Sequence, residues 1–325
     1  MTGAPSPRTV LVTGGLGFVG RHLCTHLSLA GYKVTALGRD AAAPPFSNPV
    51  RIEVVEDYLQ MARLEPLLMS SDVVIHLAAR AHIIRETDGD GTAAFERINV
   101  LGTEMLARLA ARSGVRRLVF VSSIGVHGRL SDAAPLTESS ALNPSDAYAR
   151  SKLKAEEVLA VVARETGLET VIVRPPLIYG SGVKGNFYRL LRLADTAWPL
   201  PLGGCEGVRS FIGIENLCAL LGILVNHPAA GGKVFVVADD ECLSVAELVA
   251  TLRRHMGRKP RLFKLPSGLL SAAAATVGMQ TDYERLTLPL QVDSGLARSS
   301  LGWHPPRSQE SGLLEMVRWF QALPE

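Results

Sequence analysis

The chain has 325 residues, 47 % of them hydrophobic and 20 % charged, the mix of a globular protein with a full core rather than of a disordered or fibrous chain. Thirty-four Lys and Arg against 31 Asp and Glu leave a formal charge of +3, with the basic residues scattered along the sequence, so no nucleic-acid footprint is expected. No apolar run reaches the roughly 18 residues of a membrane span. Cys24, Cys205, Cys218 and Cys242 lie far apart and form no C-x-x-C pair, which argues against a metal site or a disulfide framework.

The first eight residues carry no hydrophobic signal region, and a cytoplasmic location is the expectation. From residue 9 onward, short β-branched runs alternate with longer helical patterns, the signature of βαβ units. Strands are predicted at 9–13, 33–37, 73–77, 118–122 and 170–173, with 51–55 a further strand, and helices at 19–30, 93–113 and 151–166. The fold class is therefore α/β, a doubly wound parallel sheet of Rossmann type over residues 1–178. After Arg174-Pro175-Pro176 the pattern turns irregular. A smaller lobe is expected over 179–325, with a strand at 233–237, a helix at 245–255 and a segment near 210–240 returning to the main sheet; the alanine cluster at 272–275 fits a tightly packed helix.

Directly after the first strand stand Gly14, Gly17 and Gly20, spaced G-x-x-G-x-x-G ahead of a helix. Without Cβ atoms the first two let the turn close and a pyrophosphate approach, and the third lets helix and strand pack closely. The N–H groups at the helix start, around Phe18 and Val19, then face the phosphates of NAD or NADP. At the end of the second strand Arg39 can accept a 2′-phosphate or lie against adenine, favouring NADP, while Asp40 keeps NAD open. Asp57 is placed either to accept from the adenine amine or to cap a helix.

Tyr148 and Lys152, four residues apart, share one helix face, where the ammonium and a positive nicotinamide would lower the phenol pKa and ready it for proton exchange with a substrate hydroxyl. Ser123, at the end of a strand, can bond the same oxygen. With the glycine cradle, this pattern resembles the extended short-chain dehydrogenase/reductases of the nucleotide-sugar epimerase, dehydratase and reductase group. The likeness extends to His76-Leu77-Ala78-Ala79, Asn99, Arg174-Pro175, Tyr179-Gly180 and Leu301-Gly302-Trp303. It implies catalytic Ser123, Tyr148 and Lys152, cofactor contacts at Leu77, Ala78, Ala79 and Asn99, and substrate diphosphate contacts at Asn186 and Arg209. Taken alone, Arg209 offers the planar fork that phosphates favour or a surface salt bridge.

Two departures narrow the chemistry that the resemblance implies. The 4,6-dehydratases of the group carry an Asp-Glu pair after the catalytic Ser/Thr, where this chain has Ile124-Gly125, and the GDP-fucose-forming enzymes place a Cys where Gly125 stands. Proton exchange and hydride transfer at C4 remain. The expected activity is reduction of a UDP-4-keto-6-deoxy-N-acetylhexosamine in surface-polysaccharide synthesis. A UDP-hexose or UDP-N-acetylhexosamine 4-epimerase is the alternative, and a non-catalytic dinucleotide sensor a third reading. The resemblance also implies a UDP-linked sugar as substrate and a homodimer through two long helices. His127 replaces the group's usual Tyr, with no consequence readable from sequence.

Overall fold

Alternation along the first strand dictates the layers. In β1 (Thr9–Thr13), Val10 and Val12 face one way and Leu11 the other, and all three are buried, so both sheet faces need a cover. The computed structural model describes residues 9–40, 42–56, 61–80, 91–131, 134–265, 268, 275 and 288–324. The further strands are β2 (Lys33–Gly38), β3 (Val50–Val54), β4 (Val73–His76), β5 (Arg117–Val121), β6 (Glu169–Arg174), β7 (Leu177–Tyr179), β8 (Val208–Gly213), β9 (Val234–Val236) and β10 (Cys242–Ser244). Seven of them form one parallel sheet in the order β3-β2-β1-β4-β5-β6-β9, with β9 beside β6. The order reverses between β1 and β4, which opens a crevice at the carboxyl ends of those strands.

The Val10/Val12 face is covered by α1 (Phe18–Leu29), by the very apolar α7 (Ile214–Asn226) and by a short C-terminal helix, Gly295–Leu301. On the Leu11 face lie α2 (Met61–Met69), α4 (Gly102–Arg112) and α5 (Ala147–Thr166). The predicted helix over 93–113 is divided: α3 (Gly91–Phe95) runs into a π-helical stretch, Glu96–Leu101, before α4. Such stretches recur at functional sites, and this one contains Asn99.

The second lobe packs a three-stranded sheet, β10-β8-β7, against α6 (Gly185–Ala194), α8 (Val245–His255) and the terminal helix Gln309–Gln321. Buried Asp239 ties this lobe to the main sheet: it accepts from the Tyr179 hydroxyl at 2.7 Å, the Asn216 amide at 2.7 Å and the Gly213 N–H at 3.0 Å. Burial pushes the Asp239 carboxyl pKa up, and these three donors oppose the shift. Among the described residues no helix is long and apolar enough to cross a membrane, and no group of His, Cys, Asp or Glu could hold a metal ion. All four cysteines are free. Most of the alanine cluster, residues 272–274, lies outside the described residues, as does Asp57.

Helix α1 meets β1 through the third glycine. A Cβ at Gly20 would stand 2.1 Å from the Gly14 carbonyl oxygen, a backbone atom that no rotamer change can move. Gly20→Ala should cost about 1–3 kcal/mol in denaturant unfolding, as overpacking does. Dinucleotide affinity should fall with it, because the same shift opens the turn that precedes α1.

Candidate active site

Three segments meet at the crevice. Gly14, with φ +70°, takes a conformation that favours glycine, and a Cβ there would lie 2.9 Å from the Ala78 nitrogen, so the glycine turn is pressed against the backbone of Leu77 and Ala78. Ala78 donates to the Thr13 hydroxyl and Leu77 to the Thr13 carbonyl. Gly17 caps α1 with no side-chain acceptor, leaving the helix start around Phe18 and Val19 open to an anion. These features fit a dinucleotide: a close-approach turn, an uncapped helix N-terminus, and Leu77, Ala78 and Ala79 partly exposed along the crevice. Arg39 and Asp40 are exposed at the end of β2, with Asp40 accepting from the Ala42 N–H.

Asp146 is the N-cap of α5, its carboxylate accepting from the Ala149 N–H at 2.8 Å. The helix therefore starts four residues earlier than the sequence pattern suggests, and Tyr148 lies within its first turn. Lys152 is one turn further, buried, with Nζ 4.0 Å from the centre of the Phe120 ring. His76 stacks on the same ring, with centroids 5.6 Å apart. Burial lowers the Lys152 pKa to about 7, against the charge of Glu156, which raises it. The expected lowering of the Tyr148 pKa rests on the nicotinamide charge as well as on Lys152. Burial first, and the Asp146 charge second, push the phenol up to about 12, so it is held protonated.

His76 lies at the bottom of the crevice. Thr103 spends its hydroxyl proton on the Asn99 carbonyl at 2.6 Å, so His76 Nε2 donates to Thr103 at 3.0 Å and Nδ1 accepts from Thr13 at 2.6 Å. Burial, with Lys152 secondary, lowers this imidazole to about 3 and keeps it neutral. The buried Asn99 side chain accepts from the Arg80 N–H at 2.8 Å and donates to the Ser151 hydroxyl at 2.9 Å, tying the segment after β4 to α5.

Ser123 follows β5 and caps a 3-10 turn, Ile124–His127, its hydroxyl accepting from the Gly125 N–H at 3.1 Å. Behind it runs a buried chain that sequence reasoning missed. Ser122 donates to Glu156, the Arg174 fork embraces the same carboxylate, and Arg174 Nη1 donates to His127 Nε2 at 3.0 Å. His127 thus has its proton on Nδ1, which donates to the Ala141 carbonyl at 3.1 Å. Desolvation, then Arg174, lowers its pKa. The recurrence Tyr148, Lys152, Glu156 at four-residue steps was the available signal for Glu156.

In the second lobe, Asn186 is half-buried at the start of α6, and its neighbour Phe187 packs edge-on against Phe211 of β8 at 5.6 Å. Two residues before Phe211, Arg209 is buried on β8 and donates to the Leu288 carbonyl, while its Nε has no partner. Burial lowers its pKa to about 10, and no carboxylate among the described residues pairs with it. The surface-salt-bridge reading of Arg209 therefore fails.

Two outcomes test this arrangement. His127→Phe removes the acceptor of a buried guanidinium N–H and should cost about 1–3 kcal/mol in unfolding free energy, with His127→Gln, which keeps an acceptor and a donor, restoring most of it. For Lys152, the folded pKa of about 7 lies below the usual value near 10.5, so the cost of burying the ammonium is fully present below pH 7 and vanishes as pH rises past 10.5. Lys152→Met should therefore raise the melting temperature of cofactor-free protein near pH 6, with the gain shrinking toward about pH 10.

The sequence profile described as the NAD dependent epimerase/dehydratase family matches residues 10–238. The chain is 33 % identical over 317 residues to a UDP-glucose 4-epimerase of Vibrio cholerae, covering 97 % of this chain and 96 % of that one. It is 27 % identical over 259 residues to the N-acetyl-α-D-glucosaminyl-diphospho-ditrans,octacis-undecaprenol 4-epimerase of Escherichia coli O157:H7, covering 79 % and 75 % of the two chains. The solved structure of a UDP-glucuronic acid 4-epimerase from Bacillus cereus in complex with NAD shares its fold, with a TM-score of 0.78 at 21 % identity over 98 % of this chain and 100 % of that one. With the glycine cradle fitted to a dinucleotide, these matches make the chain a member of the NAD dependent epimerase/dehydratase family.

Proposed function

We propose that this protein is a 4-epimerase of a UDP-hexose or UDP-N-acetylhexosamine. At the coarser level it is an NAD(P)-dependent enzyme of nucleotide sugars, by its family and its long relatives. The observation that carries the finer reading is the turn after Ser123: Ile124 is buried and Gly125 has no side chain, so neither can exchange a proton at C5 or C6. Chemistry is confined to C4, where Tyr148 and Ser123 can share one oxygen. The likeness to the Vibrio cholerae enzyme over almost the whole chain favours epimerisation over the net reduction expected from sequence.

In this reading the bound dinucleotide supplies a nicotinamide that takes up and returns hydride at C4. Tyr148, protonated in the chain alone, donates to the C4 oxygen of a ketone and accepts the same proton from an alcohol. Ser123 orients that oxygen, and Lys152, its pKa lowered to about 7 by burial, tunes the phenol. Gly14, Gly17, Phe18, Val19, Leu77, Ala78 and Ala79 line the dinucleotide, with Asn99 holding the last of these segments to α5. Arg209, with an orphan N–H, and Asn186 take the substrate diphosphate. A homodimer through α4 and α5 belongs to this reading, supported by Leu101 and Val161 exposed in that region. One observation favours the second reading, a 4-ketoreductase: exposed Arg39 suits an exchangeable NADPH.

Mass spectrometry and NMR of the product separate the readings. Purified protein given UDP-glucose or UDP-N-acetylglucosamine without added reductant should return the C4 epimer at unchanged mass, and Tyr148→Phe should slow this roughly a hundredfold or more while leaving dinucleotide bound. Consumption of NADPH on a 4-keto sugar, with a gain of two hydrogens and no epimerisation of the parent sugar, establishes the reductase instead. Loss of water from the parent sugar overturns both.

A further inference from the structure

Two segments of the second lobe that are distant in sequence, 192–206 and 254–264, are packed together and expose cations from both. The organiser is Arg253 of α8, 1 % exposed. Its guanidinium donates to the carbonyls of Ala194, Thr196 and Trp198 on one side and of Pro260 on the other, at 2.7–3.2 Å. Backbone bonds from Leu200 to Arg261 and from Phe263 to Leu200, each 3.0 Å, knit the same two segments together. With these carbonyls turned inward, the Trp198 side chain stands outside, 77 % exposed, beside segments that also expose Leu193 and Phe263. Around these tips the segments 192–206 and 254–264 expose Arg192, Arg254, Arg258, Lys259, Arg261 and Lys264. Their only carboxylates are Asp195, paired with Arg258, and Glu206, paired with Lys264, both at 2.7 Å.

We propose that this face docks on an anionic lipid surface. Tryptophan is the side chain that settles at a bilayer–water interface, and a rim of Lys and Arg around apolar tips matches a negatively charged headgroup layer. The tips are held on a loop fixed by a buried arginine, so little ordering is required on contact. A second copy of the chain fits poorly, because a two-fold contact through this face would set its cations against themselves. A nucleic-acid strand would meet the cations but leave the aliphatic Leu193 without a partner.

The test is co-sedimentation of the full-length protein with phosphatidylcholine vesicles lacking or containing phosphatidylglycerol. Binding should appear only with the anionic vesicles and weaken as salt is raised. Trp198→Ser with Phe263→Ser, and separately Arg258→Glu with Lys259→Glu, should each lower the bound fraction by roughly tenfold. Turnover of soluble nucleotide sugar should be unchanged in both, which also shows that they fold. Absence of binding, equal binding to neutral vesicles, or variants that bind like wild type would overturn the proposal. So would light scattering in which Trp198→Ser splits an oligomer, which makes the face a contact between copies, or binding to a DNA duplex with vesicles ignored.

Discussion

A guanidinium and a carboxylate taken out of water cost several kcal/mol each unless they are fully paired, and the buried contact between Arg174 and Glu156 meets that condition on every side. The Arg174 fork covers both Glu156 oxygens, its remaining donor goes to His127, and Glu156 also accepts from Ser122. Because these four residues sit at the end of β6, on α5, on the 3-10 turn and just past β5, satisfying two buried charges fixes four elements at once. Ser123 is the next residue after Ser122 and Lys152 is one turn ahead of Glu156, so both candidate catalytic groups inherit their positions from this pair. His127 is accounted for on the same grounds: the site needs a neutral acceptor facing Arg174 and a donor facing Ala141, and one imidazole tautomer is both.

A second consequence is electrostatic. The floor of the crevice is an apolar stack of Lys152, Phe120 and a neutral His76, with little water to stabilise charge. In that setting lysine gives up its proton readily and tyrosine keeps its own, the reverse of their ordering in water. The protein alone is therefore poised with an acid at Tyr148 beside a lysine whose pKa burial has lowered to about 7, so added positive charge in the crevice would act on both groups in the same direction, toward loss of a proton.

Legibility followed the range of the interactions. The glycine cradle, the strands of the main sheet and the Tyr148–Lys152 pair could be read because each depends on residues within about one helical turn or one strand of each other. The start of α5 was misplaced because it is set by the Asp146 cap, which lies ahead of the apolar pattern that marks the helix. The π-helical stretch around Asn99 leaves the 3.6-residue periodicity almost intact, so 93–113 looked like a single helix. The direction of the Tyr148 shift was invisible because burial sets it, and the partner of His127 because Arg174 lies 47 positions away. The cation face was hidden for the same reason: the segments 192–206 and 254–264 are joined by Arg253, by the Asp195–Arg258 pair and by backbone bonds between residues about 60 positions apart.

The four buried arginines of the described residues differ in how fully their guanidinium groups are satisfied. Arg117 is spent on Glu169 and the Leu224 carbonyl, Arg174 on Glu156 and His127, and Arg253 on the carbonyls of two loops. Each has every nitrogen type engaged or a carboxylate against it, as burial of a permanent cation demands. Among the described residues Arg209 has neither: a single carbonyl, an unpaired Nε and a pKa lowered to about 10 by desolvation. Among the described residues, three buried arginines have a carboxylate or a full set of acceptors and Arg209 has neither, and that shortfall is what supports the proposal that it meets a substrate diphosphate.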